Sequence, residues 1–585
     1  MTSHIVVDPI TRIEGHLRIE AVLDDNNVIT SAYSSGTMFR GVELILKNRD
    51  PRDAGLLAMR ICGVCTGVHY WTSIRAVENA FGLSIPTNAR LVRNLIAGAL
   101  YIHDHPVHFY NLHALDFVDI VSALSADPKK AVDVAYTYSN NPYNASIGTY
   151  QAVQAKLTSL AKSSLGIFGN AYWGNPSYRL TPEENLIAAS HYLDCLNKQR
   201  TAAKMMAILG GKNPHPQSIV VGGVTCVEDI QDPVRLAQFG TYLTEMTDFI
   251  QGAYLPDLVM VGKAYADQAV AGVGGGLGNY MAYAANFEMD DNPYPKAKTL
   301  FSPGIVMNKD LTTVIPFDQA KVTEDVTHSW YEGNAVLQPF DGVTQPNYTG
   351  LDKRSDGIAY LKTNEKYSWL KAPNYDGNRV EVGPLARMIV GYAAGNPAIK
   401  PVVDNFLKST GFPAAVLFST IGRTAARLLE TQVIANAMVG WLDELQKNVA
   451  TGDLATWTPF DFSQVSTQAQ GFGLSEAPRG ALGHWVKIQD GKIENYQAVV
   501  PTTWNASPRD GQERPGAYED ALVGVKLAKI DEPLEILQTI HSFDPCLACA
   551  VHLVDARGKD LGTYQVIPGD GVCEITDPPS SEVIQ

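Results

Sequence analysis

The pattern of apolar and polar positions begins as a strand and then becomes helical. Apolar side chains alternate at Leu17, Ile19 and Ala21, turn-forming residues cluster at 24–27, and a second extended run follows. Successive side chains of a strand lie on opposite faces, so this segment predicts an N-terminal β-hairpin.

Capping signals predict long helices in most of the remaining chain. Thr181, Pro182 and Glu184 form a helix-start signature, and apolar residues at helical spacing follow as far as Gly210. Similar patterns begin at Thr87 and Asp232, and a further long helix is predicted from about 413 to 448. We therefore expect an α-rich (α+β) fold, with a central bundle of long helices and small peripheral sheets and hairpins.

Two stretches depart from the helical pattern. Residues from about 272 to 374 combine frequent Gly, Pro, Asp and Asn with short apolar runs, which predicts irregular structure and small sheets. Residues 484–503 predict a β-rich element that turns at Asp490-Gly491. We interpret 1–552 as one large unit, and 553–585 as a tail whose structure-breaking residues predict mobility.

Charge and hydropathy exclude several classes of protein. The 585 residues are 45% hydrophobic, with 46 basic against 61 acidic side chains and a net charge of −15. Nucleic acid binding needs clustered cations, so this balance argues against it. No run of about eighteen uncharged apolar residues occurs, and the N-terminus lacks the features of a signal peptide. We expect a globular chain without its own membrane span or export signal.

The cysteines suggest chemistry at a metal. Seven in a chain of this length are too few for a disulfide scaffold. Four of them form two C-x-x-C pairs, and three are isolated: Cys62 with Cys65, Cys546 with Cys549, then Cys195, Cys226 and Cys573. Each pair can direct two sulfurs at one thiophilic metal, and together they would join the two ends of the chain. Nickel, zinc and an iron–sulfur cluster all stay open, as does a redox dithiol.

Other motifs carry less. The glycine run AGVGGGLGN has no nucleotide-binding spacing. His103, His105 and His108 share one helix with Pro106, and structural hydrogen bonding is their favoured role.

Two segments narrow the choice of metal. RICGVCTGVH and HSFDPCLACAVH resemble the N- and C-terminal signatures of nickel-iron hydrogenase large subunits. Further similar blocks follow in order, so the resemblance covers residues 4 to 567: DPITRIEGH, GTMFRGVELILKNRDPRDA, HDHPVHFY, GGKNPHP, SEAPRGALGHW and NYQAVVPTTWN. The blocks look closest to respiratory, membrane-associated uptake members of that family.

The resemblance implies a ligand set. Cys62 and Cys546 would be terminal nickel ligands, and Cys65 and Cys549 would bridge nickel to an iron that carries CO and two cyanides. Thiolates are soft donors that suit changing nickel oxidation states, and a bound thiolate can also accept a proton. H2 would be split reversibly into protons and electrons.

The resemblance also assigns a proton relay to Glu14. This carboxylate would take the proton from Cys546 or Cys549, a role that burial would favour by raising its pKa. Without the resemblance, the pattern favours a surface strand glutamate paired with Arg12.

Further roles surround the metal. Arg479 matches an arginine beside the open site, with Asp104 and Asp544 as its carboxylates. It would orient substrate or act as an unusual base, and structural ion pairing is the alternative. Thr502 would hydrogen-bond a cyanide, and His69 would contact a bridging sulfur. Glu43, His552 and the carbonyl of Ala498 would hold Mg2+.

The cysteine count implies a partner. Three remaining cysteines cannot hold a four-cysteine iron–sulfur cluster, so an iron–sulfur small subunit is expected, in a heterodimer or a dimer of heterodimers. That subunit would carry the export signal, which places the complex on the periplasmic face of the membrane beside a cytochrome or quinone-reducing subunit. Metal-insertion factors and an endopeptidase that removes 553–585 after His552 complete the expected partners. The alternatives are a hydrogen sensor and a quinone-reducing respiratory-complex subunit, and retention of all four cysteines argues against the latter.

Overall fold

A computed structural model describes residues 3–162, 165–353, 358–461 and 468–547. Within these ranges, the predicted combination of helices with small antiparallel sheets is confirmed. Cys549, His552, Cys573 and the tail that was expected to be mobile lie outside the described residues.

Seventeen α-helices occur in the described residues. They are α1 (Val42–Leu46), α2 (Ala54–Ala58), α3 (Val68–Phe81), α4 (Thr87–Val107), α5 (Pro128–Tyr138), α6 (Ile147–Ala161), α7 (Pro182–Gly210), α8 (Val227–Gln231), α9 (Pro233–Phe249), α10 (Leu255–Ala264), α11 (Ala266–Val270), α12 (Pro384–Ala393), α13 (Lys400–Thr410), α14 (Thr420–Ala450), α15 (Pro501–Asn505), α16 (Ala517–Leu522) and α17 (Leu534–Ser542). The long helices α4, α7, α9 and α14 contact one another. Their arrangement as a central bundle stays a prediction.

Fifteen short strands accompany them in the same ranges. They are β1 (Ser3–Val7), β2 (Leu17–Leu23), β3 (Ile29–Gly36), β4 (Ile219–Val220), β5 (Gly223–Val224), β6 (Tyr280–Ala282), β7 (Gly304–Val306), β8 (Val322–Asp325), β9 (Val336–Leu337), β10 (Asp352–Lys353), β11 (Ala359–Tyr360), β12 (Ala372–Tyr375), β13 (Gln468–Ala477), β14 (Gly480–Gln489) and β15 (Lys492–Val499). Three-stranded sheets form in the orders β1-β2-β3, β12-β8-β9 and β13-β14-β15, and all their pairings are antiparallel.

Local signals set several helix starts as predicted. Thr181 caps α7 through a capping box, in which its hydroxyl accepts the N–H of Glu184 and the Glu184 carboxylate accepts the N–H of Thr181. Asp232 also caps its helix, α9, because its carboxylate accepts backbone N–H groups of the first turn. The predicted start near 413 was wrong, because Ala414–Leu417 forms a separate 3-10 turn and Ser419 caps α14.

The predicted hairpins are confirmed at β2-β3 and β14-β15, whereas β13 was missed. Helix α3 packs across β13 and β14. Gly473 makes this possible, because a Cβ there would lie 2.0 Å from the carbonyl oxygen of Thr72 on α3. The sheet thus supports the helix that follows the first cysteine pair.

No helix among the described residues combines the length and the apolar character needed to cross a lipid bilayer.

Candidate metal centre

Three thiols from opposite ends of the chain meet in the protein interior. The Sγ atoms of Cys62 and Cys546 are 3.5 Å apart, and those of Cys62, Cys65 and Cys546 all lie within 4.8 Å of one another. Each of these cysteines is at most 3% exposed. The structure therefore brings together three of the four predicted thiolate ligands, and the fourth, Cys549, lies outside the described residues.

A turn before α3 presents the N-terminal pair. The backbone N–H of Cys65 donates to the sulfur of Cys62 over 3.3 Å, a contact that favours the thiolate form. Gly67 has φ +88°, and this left-handed conformation lets the chain turn into α3. Between the cysteines, Gly63 and Val64 are exposed. The two sulfurs therefore lie directly beneath the protein surface.

Backbone pairing holds Glu14 beside Cys546. The N–H of Glu14 donates to the carbonyl of Pro545 over 3.3 Å, and the N–H of Leu547 donates to the carbonyl of Glu14 over 2.7 Å. As a result, Glu14 Oε2 lies 3.3 Å from Cys546 Sγ, within hydrogen-bonding distance of the thiol. Arg12 forms an ion pair with Asp116. Glu14 is therefore placed to exchange a proton with Cys546. The alternative, a surface ion pair between Glu14 and Arg12, is disfavoured because Arg12 pairs with Asp116.

Buried charges form a cluster around Arg479. Its Nη2 lies 2.9 Å from Asp544 Oδ1, and its Nη1 lies 3.4 Å from Asp104 Oδ2. Burial opposes the charge of Arg479, but Asp544 and Cys546 raise its pKa well above the ordinary value. The guanidinium therefore stays protonated, which argues for an orienting role and against action as a base.

Arg427 is a further member of this cluster that the sequence analysis missed. Its Nε lies 3.9 Å from Asp544 Oδ2, and it is 1% exposed. Within the described residues, Nε and Nη2 of Arg427 and Nε of Arg479 have no hydrogen-bond partner. Buried donors of this kind are costly unless a ligand accepts from them. The region therefore suits a group that carries polar or anionic acceptors.

His69 and Thr502 are two uncharged side chains near the cysteine cluster. His69 Nδ1 is 3.0 Å from His484 Nε2, and burial lowers the pKa of His69 to about 4, so its ring is neutral at pH 7. Its Nε2 has no hydrogen-bond partner in the part of the chain that the structure describes. The Thr502 hydroxyl accepts the N–H of Cys546 over 3.1 Å. Thr502 therefore keeps its own hydrogen for another acceptor.

Glu43 and Ala498 line a second, smaller site. Glu43 Oε1 accepts the N–H of Ala498 over 3.0 Å at the edge of a cavity of about 70 Å³. Lys371 Nζ lies 3.0 Å from Glu324 and 3.7 Å from Glu43. The cavity has room for water, and oxygen ligands with water suit Mg2+. The predicted third ligand, His552, lies outside the described residues.

A second group of possible metal ligands is a satisfied hydrogen-bond network. Asp116 accepts from His541 Nδ1 over 2.6 Å and from His113 Nδ1 over 3.0 Å, and it pairs with Arg12. His541 Nε2 lies 2.7 Å from the carbonyl of Thr11, and His113 Nε2 lies 3.1 Å from the Thr424 hydroxyl. The histidines of α4 and the following turn also make structural hydrogen bonds, as predicted: His103 to Asp104, His105 to Glu430 and His108 to the carbonyl of His541.

These features define a buried, thiolate-rich site for a soft transition metal. The three thiols meet within bonding reach of one ion. The arginine cluster of Arg427 and Arg479 has donors without a hydrogen-bond partner in the described residues, which suits a metal that carries its own acceptor ligands. Cys195 and Cys226 take no part, because both are buried elsewhere and burial raises the pKa of each thiol.

The chain belongs to the nickel-dependent hydrogenase family, which matches residues 40–552, and a HoxL-like family matches residues 4–35. It is therefore an oxidoreductase that acts on H2 and a hydrogenase large subunit.

Hydrogenase large chains from other organisms align along almost the whole chain. The quinone-reactive Ni/Fe-hydrogenase large chain of Wolinella succinogenes is 49% identical over 97% of this chain and 99% of its own length. The uptake hydrogenase large subunit of Rhizobium leguminosarum bv. viciae is 46% identical, over 96% and 97%. A solved Ni-Fe-Se hydrogenase from D. vulgaris Hildenborough is similar in fold, with a TM-score of 0.75 and 34% identity over 94% of this chain and 100% of that one.

Replacing Cys62 or Cys546 by serine should abolish nickel retention, because the harder hydroxyl oxygen is a poor substitute for a soft thiolate. Cys195→Ser and Cys226→Ser are matched controls at buried thiols outside the cluster and should retain nickel. Elemental analysis of the purified proteins measures nickel per chain. Normal nickel in Cys546→Ser would contradict the assignment.

Proposed function

We propose that this chain is the catalytic large subunit of a nickel-iron hydrogenase that splits H2 heterolytically, in the uptake direction. The observation that carries the proposal is the meeting of Cys62, Cys65 and Cys546 in the interior, with the Glu14 carboxylate 3.3 Å from one sulfur. Cys549 would be the fourth ligand. In this proposal, the thiolates of Cys62, Cys65, Cys546 and Cys549 would hold the nickel-iron centre.

Cys546 and Glu14 would carry the proton from H2 away from the metal centre. When bound, the nickel-iron centre supplies the electron acceptor for the oxidation of H2. Cys546 would receive a proton at Sγ and pass it to Glu14 Oε2, its neighbour at 3.3 Å. The backbone bridge between Glu14 and residues 545–547 keeps this donor and acceptor in register, so that little rearrangement is needed for transfer.

The charged cluster would orient H2 and the diatomic ligands of iron. Arg479 is held between Asp104 and Asp544, and these two carboxylates favour its protonated form, in which it is a hydrogen-bond donor. Some nitrogens of Arg427 and Arg479 have no hydrogen-bond partner within the described residues, and they would donate to cyanide together with the hydroxyl of Thr502. His69 would contact one of the thiolates through Nε2, which likewise has no hydrogen-bond partner there.

The Glu43 site would hold Mg2+ close to the C-terminus of the processed chain. We infer that an endopeptidase removes 553–585 after metal-insertion factors have loaded the centre, which leaves His552 as both terminus and ligand. The cavity at Glu43 and Ala498 supports this site, because it supplies oxygen ligands and space for water.

An exposed apolar surface supports docking of an iron–sulfur small subunit. Leu44, Ile45, Leu56 and Val64 are each between 38% and 49% exposed, and they lie on α1, α2 and the turn between the first two cysteines. Apolar side chains are enriched in the buried centres of stable protein interfaces. A partner bound here would place its nearest cluster beside the thiols across a thin layer of protein.

The relatives suggest where the electrons go. One is named a quinone-reactive hydrogenase large chain and another an uptake hydrogenase large subunit. We infer a similar role for this chain, with electrons passed through the small subunit to a membrane cytochrome or quinone-reducing subunit. The complex would lie at the periplasmic face, exported by the signal of the small subunit.

Fractionation of the native cells tests this location, and recovery of active complex only from cytosol would contradict it.

Glu14→Gln should keep nickel but lose H2 oxidation by about 10²- to 10⁴-fold, because an amide cannot accept the proton from Cys546. Turnover per nickel is the measurement. Glu20→Gln is the matched control, since Glu20 is fully buried on β2 and pairs with Arg18 away from the thiols. It should lose stability and keep turnover per nickel. Undiminished turnover in Glu14→Gln would exclude the relay.

Leu56→Glu should weaken binding of the small subunit by about tenfold or more, because it places a charge in an apolar interface. Binding is measured by titrating tagged large subunit with its partner at constant salt. Val234→Glu, at a position 74% exposed on α9, is the control and should bind normally. Equal affinity for both variants would place the interface elsewhere.

Intact-mass measurement of nickel-loaded protein should show a chain that ends at His552. Elemental analysis of the same sample should show bound magnesium, which Glu43→Gln should lose. Nickel-loaded, active protein that retains residues 553–585 would disprove processing, and magnesium retained by Glu43→Gln would disprove the assigned ligand.

A further inference from the structure

Arg387 on α12 uses every donor of its guanidinium in the protein interior. Its Nε and Nη2 donate to the two oxygens of Glu430, each over 2.6 Å, and its Nη1 donates to Glu476 over 2.5 Å. The remaining N–H groups donate to the carbonyls of Ala477 and Pro478, both over 3.1 Å. A guanidinium has five N–H groups, so none is left over. Arg387, Glu430 and Glu476 all have side chains that are 0% exposed.

The two carbonyls that Arg387 binds belong to the residues immediately before Arg479. The same helix holds the turn from its other side, because Gly480 packs on Gly383 at the start of α12. A Cβ at position 480 would lie 2.7 Å from the Gly383 nitrogen. The backbone on both sides of Arg479 is therefore fixed by α12.

Both carboxylates are themselves anchored. Glu476 Oε1 accepts the N–H groups of Tyr283 and Ala284, over 2.7 and 2.9 Å. Glu430 on α14 lies 2.9 Å from His105 Nε2, and His105 directly follows Asp104. One network therefore reaches the two residues, Arg479 and Asp104, that form an ion pair beside the thiols.

We propose that Arg387 is a positioning residue for H2 oxidation, which sets the place of Arg479 over the thiol cluster through the backbone carbonyls of Ala477 and Pro478. The proposal rests on the function proposed for the site. Arg387 touches none of the cysteines by hydrogen bond or ion pair in the described residues, so it acts on the site through Arg479.

Energetics favour a geometric role for this network. Removing charges from water costs several kcal/mol per ion, and a buried pair recovers this only with complete hydrogen bonding. An apolar core of the same volume would hold α12 and α14 together at least as well. What the guanidinium adds is a rigid planar fork that fixes five acceptor atoms at once, which a lysine ammonium cannot match.

Arg387→Lys tests the proposal, with Arg93→Lys as the matched control. Arg93 also binds one buried carboxylate through two nitrogens, Glu78 at 2.7 and 2.9 Å, together with the carbonyls of Val220 and Gly223. It lies near the start of α4, eleven residues before Asp104. Both variants should lower the melting temperature and retain nickel.

Only Arg387→Lys should alter the site. We expect kcat/KM for H2 to fall by about 10²-fold, as a displacement of about 1 Å can cause, and the infrared bands of the iron-bound CO and cyanide to shift. In an Arg479→Lys background, Arg387→Lys should have little further effect on kcat/KM, because its action runs through Arg479. Unchanged bands and turnover, or additive losses in the double variant, would overturn the proposal.

If Arg387→Lys does not fold, Glu476→Gln takes its place, because glutamine keeps the size of the acceptor side chain, and Glu78→Gln is then the control. Only Glu476→Gln should shift the infrared bands and lower kcat/KM, and a Glu476→Gln variant that matches its control would overturn the proposal. If the unsubstituted chain binds no nickel or does not oxidise H2, the proposed function fails. Failure of the Arg387 proposal instead appears as a fully active parent whose variants match their controls.

Discussion

The metal centre depends on the meeting of the two ends of the chain, because Cys62 and Cys546 are 484 residues apart in sequence and their sulfurs are 3.5 Å apart. A two-sided backbone bridge between Glu14 and residues 545–547 helps to hold Cys546 in this place. The entropic cost of closing so large a loop grows only with the logarithm of its length, and the packed helices between the ends supply the stability. The bridge therefore sets geometry more than stability, because it decides which atoms face one another.

One face of the helix α14 presents a row of buried charged side chains. Arg423, Arg427 and Glu430 follow one another at helical spacing and pair with Glu381, Asp544 and Arg387, respectively. The sequence pattern predicted a long helix in this region but not its buried ion pairs. Each of these three charges pairs with a side chain on a different segment of the chain. Apolar packing tolerates small displacements, whereas a guanidinium with fixed acceptors does not.

The features that could be predicted from the sequence are those whose signals involve residues close together along the chain. The capping box at Thr181 involves residues three apart, so the start of α7 was predictable. The thiolate ligands were predictable as pairs because C-x-x-C is local, and the two pairs already favoured one shared metal site, but only the family resemblance indicated which metal. Arg427 and Arg387 could not be found in this way, since an arginine in a helix becomes functional only through partners distant in sequence. The strand β13 was missed because its glycines, such as Gly473, weaken the strand signal and are explained only by the close approach of α3.

The exposed residues Gly63 and Val64 lie between Cys62 and Cys65, so the two buried thiols are close to the protein surface. Bulk water and dissolved oxidants would reach within a few ångströms of the sulfurs if this face were bare, and the local dielectric would be that of a wet surface. A subunit that covered the turn, as proposed, would insulate the centre as well as conduct its electrons. The potential and the chemical lifetime of the centre would then be properties of the assembled pair, because part of the enclosure would belong to the other chain.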